Sequence, residues 1–147
     1  MQTSSGLNNA GAEEPVTTSQ RRVTVLLVDQ DRRVRAALGK LLSAVDSQWD
    51  VSAVAVLPAP LATIGLPDVA LIDVPMTTAA AVLSVIAKLT DAAVAVVAIS
   101  AYDALRGRAL KAGASTYLSK DANTDLIVQA VWAAADQTRL ASAPPAV

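Results

Sequence analysis

Asp68-Val-Ala-Leu-Ile-Asp73, followed by Val74-Pro75-Met76-Thr77-Thr78, decides the reading of this chain. Val69 to Ile72 is short, continuous and apolar, the pattern of a strand covered on both faces, as in a parallel sheet with helices above and below. Asp73 closes the run. A carboxylate just past such a strand reaches the mouth of the sheet, where open α/β folds place their chemistry. Alone it could simply end the strand or cap the next helix, so the neighbouring segments carry the argument.

On the N-terminal side, Val23-Thr-Val-Leu-Leu-Val28 is a second apolar run, ending at Asp29-Gln30-Asp31. Val34, Leu38, Leu41, Leu42 and Val45 then recur at helical spacing, with Asp31 placed to cap that helix. A strand is expected over Trp49 to Val56. Pro58 and Pro60 confine the following helix to about Leu61–Ile64. On the C-terminal side, Val82, Leu83, Ile86 and Leu89 mark a helix, and Ala93 to Ile99 is a buried strand closed by Ser100. A helix over about Tyr102–Ala112 follows, with Gly113 suited to the left-handed position beyond it. Thr116 to Ser119 is a short strand ending at Lys120. The last helix spans about Thr124–Thr138, with Asn123 as cap and Leu126, Ile127, Ala130, Val131 and Ala134 turned inward. Strand and helix alternate five times, which predicts an α/β, (βα)5 three-layer sandwich on a parallel sheet. Residues 1–21, polar and aperiodic, read as a disordered leader. Residues 22–138 form the domain, and 139–147, ending Ala-Pro-Pro-Ala-Val, read as a tail or a severed linker.

The totals narrow the chemistry. At 147 residues the chain suits one domain. With no Cys and no His, disulfides, thiolate catalysis and the usual zinc sites are excluded. A net charge of −1 argues against direct nucleic-acid binding. No apolar stretch approaches a membrane span, and the polar N-terminus is unlike a signal peptide. A soluble, cytoplasmic domain is expected. Glycine-rich phosphate loops of the nucleotide-binding type do not follow the first strand, and there is no Ser/His pair, so an enzyme is not expected.

The strand ends carry Asp29, Asp73, Ser100 and Lys120, and in a sheet of this kind they converge. Two carboxylates suit Mg²⁺, which takes oxygen ligands and keeps several waters; an ammonium and a hydroxyl opposite them suit the oxygens of a phosphoryl group. In order and spacing, Val25–Asp29, Pro67–Asp73, Ala98–Ala101 and Ala112–Lys120 resemble the receiver domain of two-component response regulators. The last stretch, with Asp121 following, is most similar to the subgroup that carries a LuxR-type helix-turn-helix output domain. The resemblance covers about Arg22 to Ala135. It implies a flavodoxin-like sheet of order 2-1-3-4-5. It also implies Asp73 as phosphoacceptor, Mg²⁺ held by Asp29, Gln30, Asp73 and the Pro75 carbonyl, and Lys120 paired with Asp73. Ser100 would be a hydrogen-bond donor to the phosphoryl group, and Tyr117 a switch that turns inward, Tyr117 otherwise reading as a plain surface aromatic. The implied partners are a sensor histidine kinase or another phosphodonor, and a second copy meeting the face of the fourth helix, fifth strand and fifth helix.

Departures from the family pattern point the other way. Gln30 stands where receivers carry a second acid, which removes one charge from the expected metal site and should weaken Mg²⁺. Pro75-Met76-Thr77-Thr78 inverts the usual Met-Pro order and lacks the Gly. The alternative function is therefore an atypical receiver that works as a dimerisation or protein-binding module without phosphorylation. Trp49 reads as packing, and Arg32, Arg33, Arg35, Arg106, Arg108 and Lys111 as solvated helix faces.

Overall fold

The structure, a computed structural model, describes residues 22–57 and 65–141. The expected leader, the helix within Leu61–Ile64 and the residues after 141 lie outside that range. Along the described chain run β1 (Val23–Val28), α1 (Arg32–Val45), β2 (Trp49–Val54), β3 (Val69–Asp73), α2 (Ala79–Asp91), β4 (Ala95–Ser100), a 3₁₀ turn (Asp103–Leu105), α3 (Arg106–Lys111), β5 (Thr116–Ser119) and α4 (Thr124–Ala141). The expected fourth and fifth helices are thus α3 and α4.

All pairings are parallel, in the order β2-β1-β3-β4-β5. Alternate side chains of a strand point to opposite faces, so the apolar runs feed two cores. Leu26, Val28, Ala70, Ile72, Val96 and Ala98 meet Leu83, Ile86 and Leu89 of α2 and Leu105 and Ala109. Val25, Leu27, Val69, Leu71, Val97 and Ile99 meet Leu38 and Leu42 of α1 and Ile127, Val131, Ala134 and Ala135 of α4. Helices on both faces make the three layers. Trp49 is buried in the second core, as expected, beside Trp132 with 5.5 Å between ring centroids.

The caps follow local chemistry. Asp31 accepts hydrogen bonds from the Arg33 and Val34 amides at the start of α1, and Asn123 accepts one from the Asp125 amide at the start of α4. Gly113 has φ +116, and a Cβ there would lie 2.6–2.8 Å from the Thr90 side chain. Both backbone and space demand glycine.

Several boundaries depart from expectation. The strand expected from Ala93 starts at Ala95, because the Ala93 and Val94 amides donate to the Thr90 and Leu89 carbonyls at the end of α2. β2 ends at Val54, two residues early. The helix expected from Tyr102 starts only at Arg106, after the 3₁₀ turn. Tyr102 is extended because its amide donates to Ser100 Oγ and its carbonyl accepts the Tyr117 hydroxyl, bonds that a helical Tyr102 would not place alike. In α4, Leu126 is exposed, contrary to its expected inward position. Turning Ile127, Val131 and Ala134 inward rotates Leu126 out by one helical step; the helix continues to Ala141.

Candidate functional site

Register alone gathers three charged residues. Val28 pairs with Ile72, so the next residue on each strand, Asp29 and Asp73, project side by side beyond β1 and β3. Ser100 pairs with Ser119, so Lys120 emerges one step past β5, where its amide donates to the Ser100 carbonyl at 2.8 Å. Its long side chain crosses the mouth of the sheet to the acids. Lys120 Nζ lies 3.0 Å from Asp29 Oδ2 and 3.2 Å from Asp73 Oδ1. One ammonium holds two carboxylates.

The two acids differ in surroundings. Asp29 is 1% exposed. Its Oδ1 accepts the Asp31 amide at 2.8 Å, while Oδ2 has the ion contact with Lys120 and no well-aligned hydrogen bond. The Asp73 side chain keeps 10% of its surface. Burial raises the Asp73 pKa above the ordinary carboxylate value; its bond to Lys120 opposes the rise, and the charges of Asp29 and Asp31 reinforce it. Burial works to lower the Lys120 pKa, but its bonds to Asp29 and Asp73 and their charges outweigh it, and the ammonium is held above its usual value. The proton is thus held on the lysine.

Other expected residues sit differently. Ser100 is fully buried, and its hydroxyl donates to the Val74 carbonyl at 2.8 Å while accepting the Tyr102 amide at 3.1 Å. It ties the end of β4 to the loop after Asp73. Tyr117 is 2% exposed, which corrects the plain-surface reading; its hydroxyl donates to the Tyr102 carbonyl, and Arg106 covers its ring, guanidinium carbon 5.0 Å from the centroid. Arg106 is therefore more than a solvated charge. Gln30 is exposed, and Pro75 lines a cleft beside Asp73.

Arg35, expected on a solvated helix face, is engaged instead. Its guanidinium donates to the main-chain carbonyls of Asp29, at 2.8 Å, and Gln30, at 3.1 Å. It clamps the turn that presents Asp29. The sequence signal was its position one helical turn beyond the Asp31 cap, on the side facing back to the strand end.

Asp29 and Asp73 supply hard, anionic oxygen, with carbonyl and amide oxygens of the adjoining turns in the same loops. That chemistry fits a hydrated Mg²⁺. Its charge is modest: among the described residues no group of three acidic or other metal-binding side chains is assembled.

A doubly covered parallel sheet of this order, with acids and a lysine gathered at its carboxyl end, defines a receiver-type α/β domain. The chain belongs to the response regulator receiver domain family, which it matches over residues 25–132. Among solved structures, it is similar to a signal receiver domain of the putative response regulator NarL from Mycobacterium tuberculosis, with 30% identity, TM-score 0.63, and coverage of 79% of this chain and 98% of that one. It is also similar to a LuxR family DNA-binding response regulator from Silicibacter pomeroyi, with 27% identity, TM-score 0.65, and coverage of 78% and 93%. The receiver domain of a putative Luxo repressor protein from Vibrio parahaemolyticus shares the fold at 23% identity, with TM-score 0.67 and coverage of 82% and 95%. No curated protein matches. No described helix is long and apolar enough to cross a membrane.

Proposed function

We propose that this receiver domain accepts a phosphoryl group on Asp73 from a sensor histidine kinase or a small phosphodonor, and that the modification alters a protein-interaction face. The observation that carries the reading is the shared ammonium: Asp73 and buried Asp29 both contact Lys120 at the mouth of the sheet. An Asp73 oxygen attacks phosphorus as the bond to the donor's nitrogen or oxygen breaks. Lys120 then keeps one contact to Asp29 and offers its remaining hydrogens to the new phosphoryl oxygens. Asp29, Asp73, the Gln30 amide oxygen and the Pro75 carbonyl would hold Mg²⁺, which when bound supplies positive charge against the transferring group. Ser100 reaches the phosphoryl group only by releasing the Val74 carbonyl, which draws the loop after β4 along with it. Tyr102, Tyr117 and Arg106 connect that loop to α3 and β5, so the face of α3, β5 and α4 reads the change, for a second copy or an output partner. A cytoplasmic location, and an output domain like that of the DNA-binding relative, accord with this reading.

The neutral, exposed Gln30 and the engaged Ser100 hydroxyl favour a second reading, in which the same face binds partners without phosphorylation. The test is Mg²⁺-dependent modification by acetyl phosphate, read by intact mass, with Asp73→Asn as control. One added phosphoryl group on the wild type and none on the variant supports the first reading. An unmodified, folded wild type at high Mg²⁺ overturns it in favour of the second.

A further inference from the structure

Tyr117 is built into the core, and that limits what it can do. Its strand, β5, lies at the edge of the sheet, where a side chain has an open side to turn toward. The ring nevertheless points inward, is 2% exposed, and joins the core of Leu105, Ala109 and Ala114. Its register partner on β4 is Ala98. Among the described residues of that core it is the one aromatic ring, so an outward turn would leave a hollow that the alanines cannot fill.

Two further contacts hold the ring. Its hydroxyl donates to the Tyr102 carbonyl, a partly buried bond that an outward turn would break. Arg106, the first residue of α3, lies over the ring face with its guanidinium carbon 5.0 Å from the centroid, a cation–π arrangement. Neither contact involves Asp73, Asp29 or Lys120. Tyr102 is bound in turn through its amide to Ser100, and Ser100 to the Val74 carbonyl. The contacts run unbroken from the loop after Asp73 to the start of α3, with the ring as one fixed member.

We propose that Tyr117 is a fixed strut with Arg106 as its positioning residue, so that the ring stays inward whatever Asp73 carries. Movement of the loop after β4 then reaches α3 as a shift of the linked unit Tyr102, Tyr117 and Arg106, and a turn of the ring plays no part. On the reading of Asp73 as phosphoacceptor, this is how the interaction face is reached. It departs from the turning tyrosine that the family resemblance implies.

The test is the side-chain rotamer at position 117 in the full chain, read by NMR from three-bond couplings of the ring carbon to the backbone nitrogen and carbonyl. One inward rotamer is expected, both before and after treatment with acetyl phosphate and Mg²⁺. Arg106→Ala should raise the outward share roughly threefold and Tyr117→Phe roughly tenfold. The double variant, raised about thirtyfold, should show averaged couplings. An averaged rotamer in the wild type, a turn of the ring on modification, or a double variant that keeps one rotamer overturns the proposal. The untreated chain is read as well, so the two readings fail separately. A chain that resists acetyl phosphate with its ring fixed refutes the phosphoacceptor reading alone, whereas a ring that turns on modification upholds the acceptor and refutes the strut.

Discussion

Replacing Lys120 with Met tests how the acidic site is held together. The variant keeps the length and apolar stem of the side chain and deletes the charge that lies 3.0 Å from Asp29 and 3.2 Å from Asp73. At an effective dielectric near 20, each contact is worth roughly 5 kcal/mol before desolvation. Breaking a fully buried ion pair costs about 3–5 kcal/mol net. The Lys120 side chain is 26% exposed, so water recovers part of that loss. About 2–3 kcal/mol at neutral pH is expected, a fall in Tm of roughly 5–10 °C. The pH dependence has a definite sign. Asp73 already has a raised pKa, and burial is the main cause. Without Lys120 the two acids repel with nothing between them, and the folded state binds a proton more tightly still. A raised folded-state pKa gives stability that is present at low pH and lost as pH rises through the raised value. The deficit of Lys120→Met should therefore be largest near neutrality and shrink as the pH falls through that raised value. Urea unfolding followed by far-UV circular dichroism across that fall measures it. Equal stability of variant and wild type at neutral pH, or a deficit that stays constant on acidification, would refute the shared-cation account.

Two further outcomes follow from the packing. Arg35→Met removes the charged donor to the Asp29 and Gln30 carbonyls, at an expected cost of about 1–2 kcal/mol; amide hydrogen exchange should quicken from Gln30 through Val34 and stay unchanged in β4, and uniform protection would show that the clamp is idle. Gly113→Ala puts a Cβ 2.6–2.8 Å from the Thr90 side chain at a positive φ, at about 2 kcal/mol; adding Thr90→Ala should return part of that in urea titrations, and no recovery would assign the whole cost to the backbone.

Much of this architecture was readable because it is built from local, repetitive signals. The runs Val25–Val28, Val69–Ile72 and Val94–Ile99 are apolar at every position, which only a doubly covered strand tolerates. Once parallel order is granted, Asp29, Asp73 and Lys120 converge by strand length alone. Arg35 and Tyr117 were less legible, because their roles depend on where a long side chain ends. The Arg35 guanidinium bonds main-chain oxygens, which leave no trace in residue identity. Tyr117 is buried by Arg106 and by the carbonyl of Tyr102, fifteen residues away. Leu126 failed for a simpler reason: in a helix as Ala-rich as α4, several rotations give plausible inner stripes, and contacts with the sheet choose among them.

The tryptophans have an optical consequence. This chain has only two, and they form one pair, Trp49 buried and Trp132 42% exposed. Trp49 opens β2, whereas Asp29 and Asp73 stand at the opposite, carboxyl end of the sheet, roughly 15–20 Å away along the strands. Intrinsic emission therefore reports the seam between α4 and the N-terminal edge of the sheet. A change in that emission when something engages Asp73 would signal that the helix seam itself had shifted, since the chromophores lie too far off to be touched. The molecule carries its own remote gauge of whether events at the acidic mouth reach the opposite end of the fold.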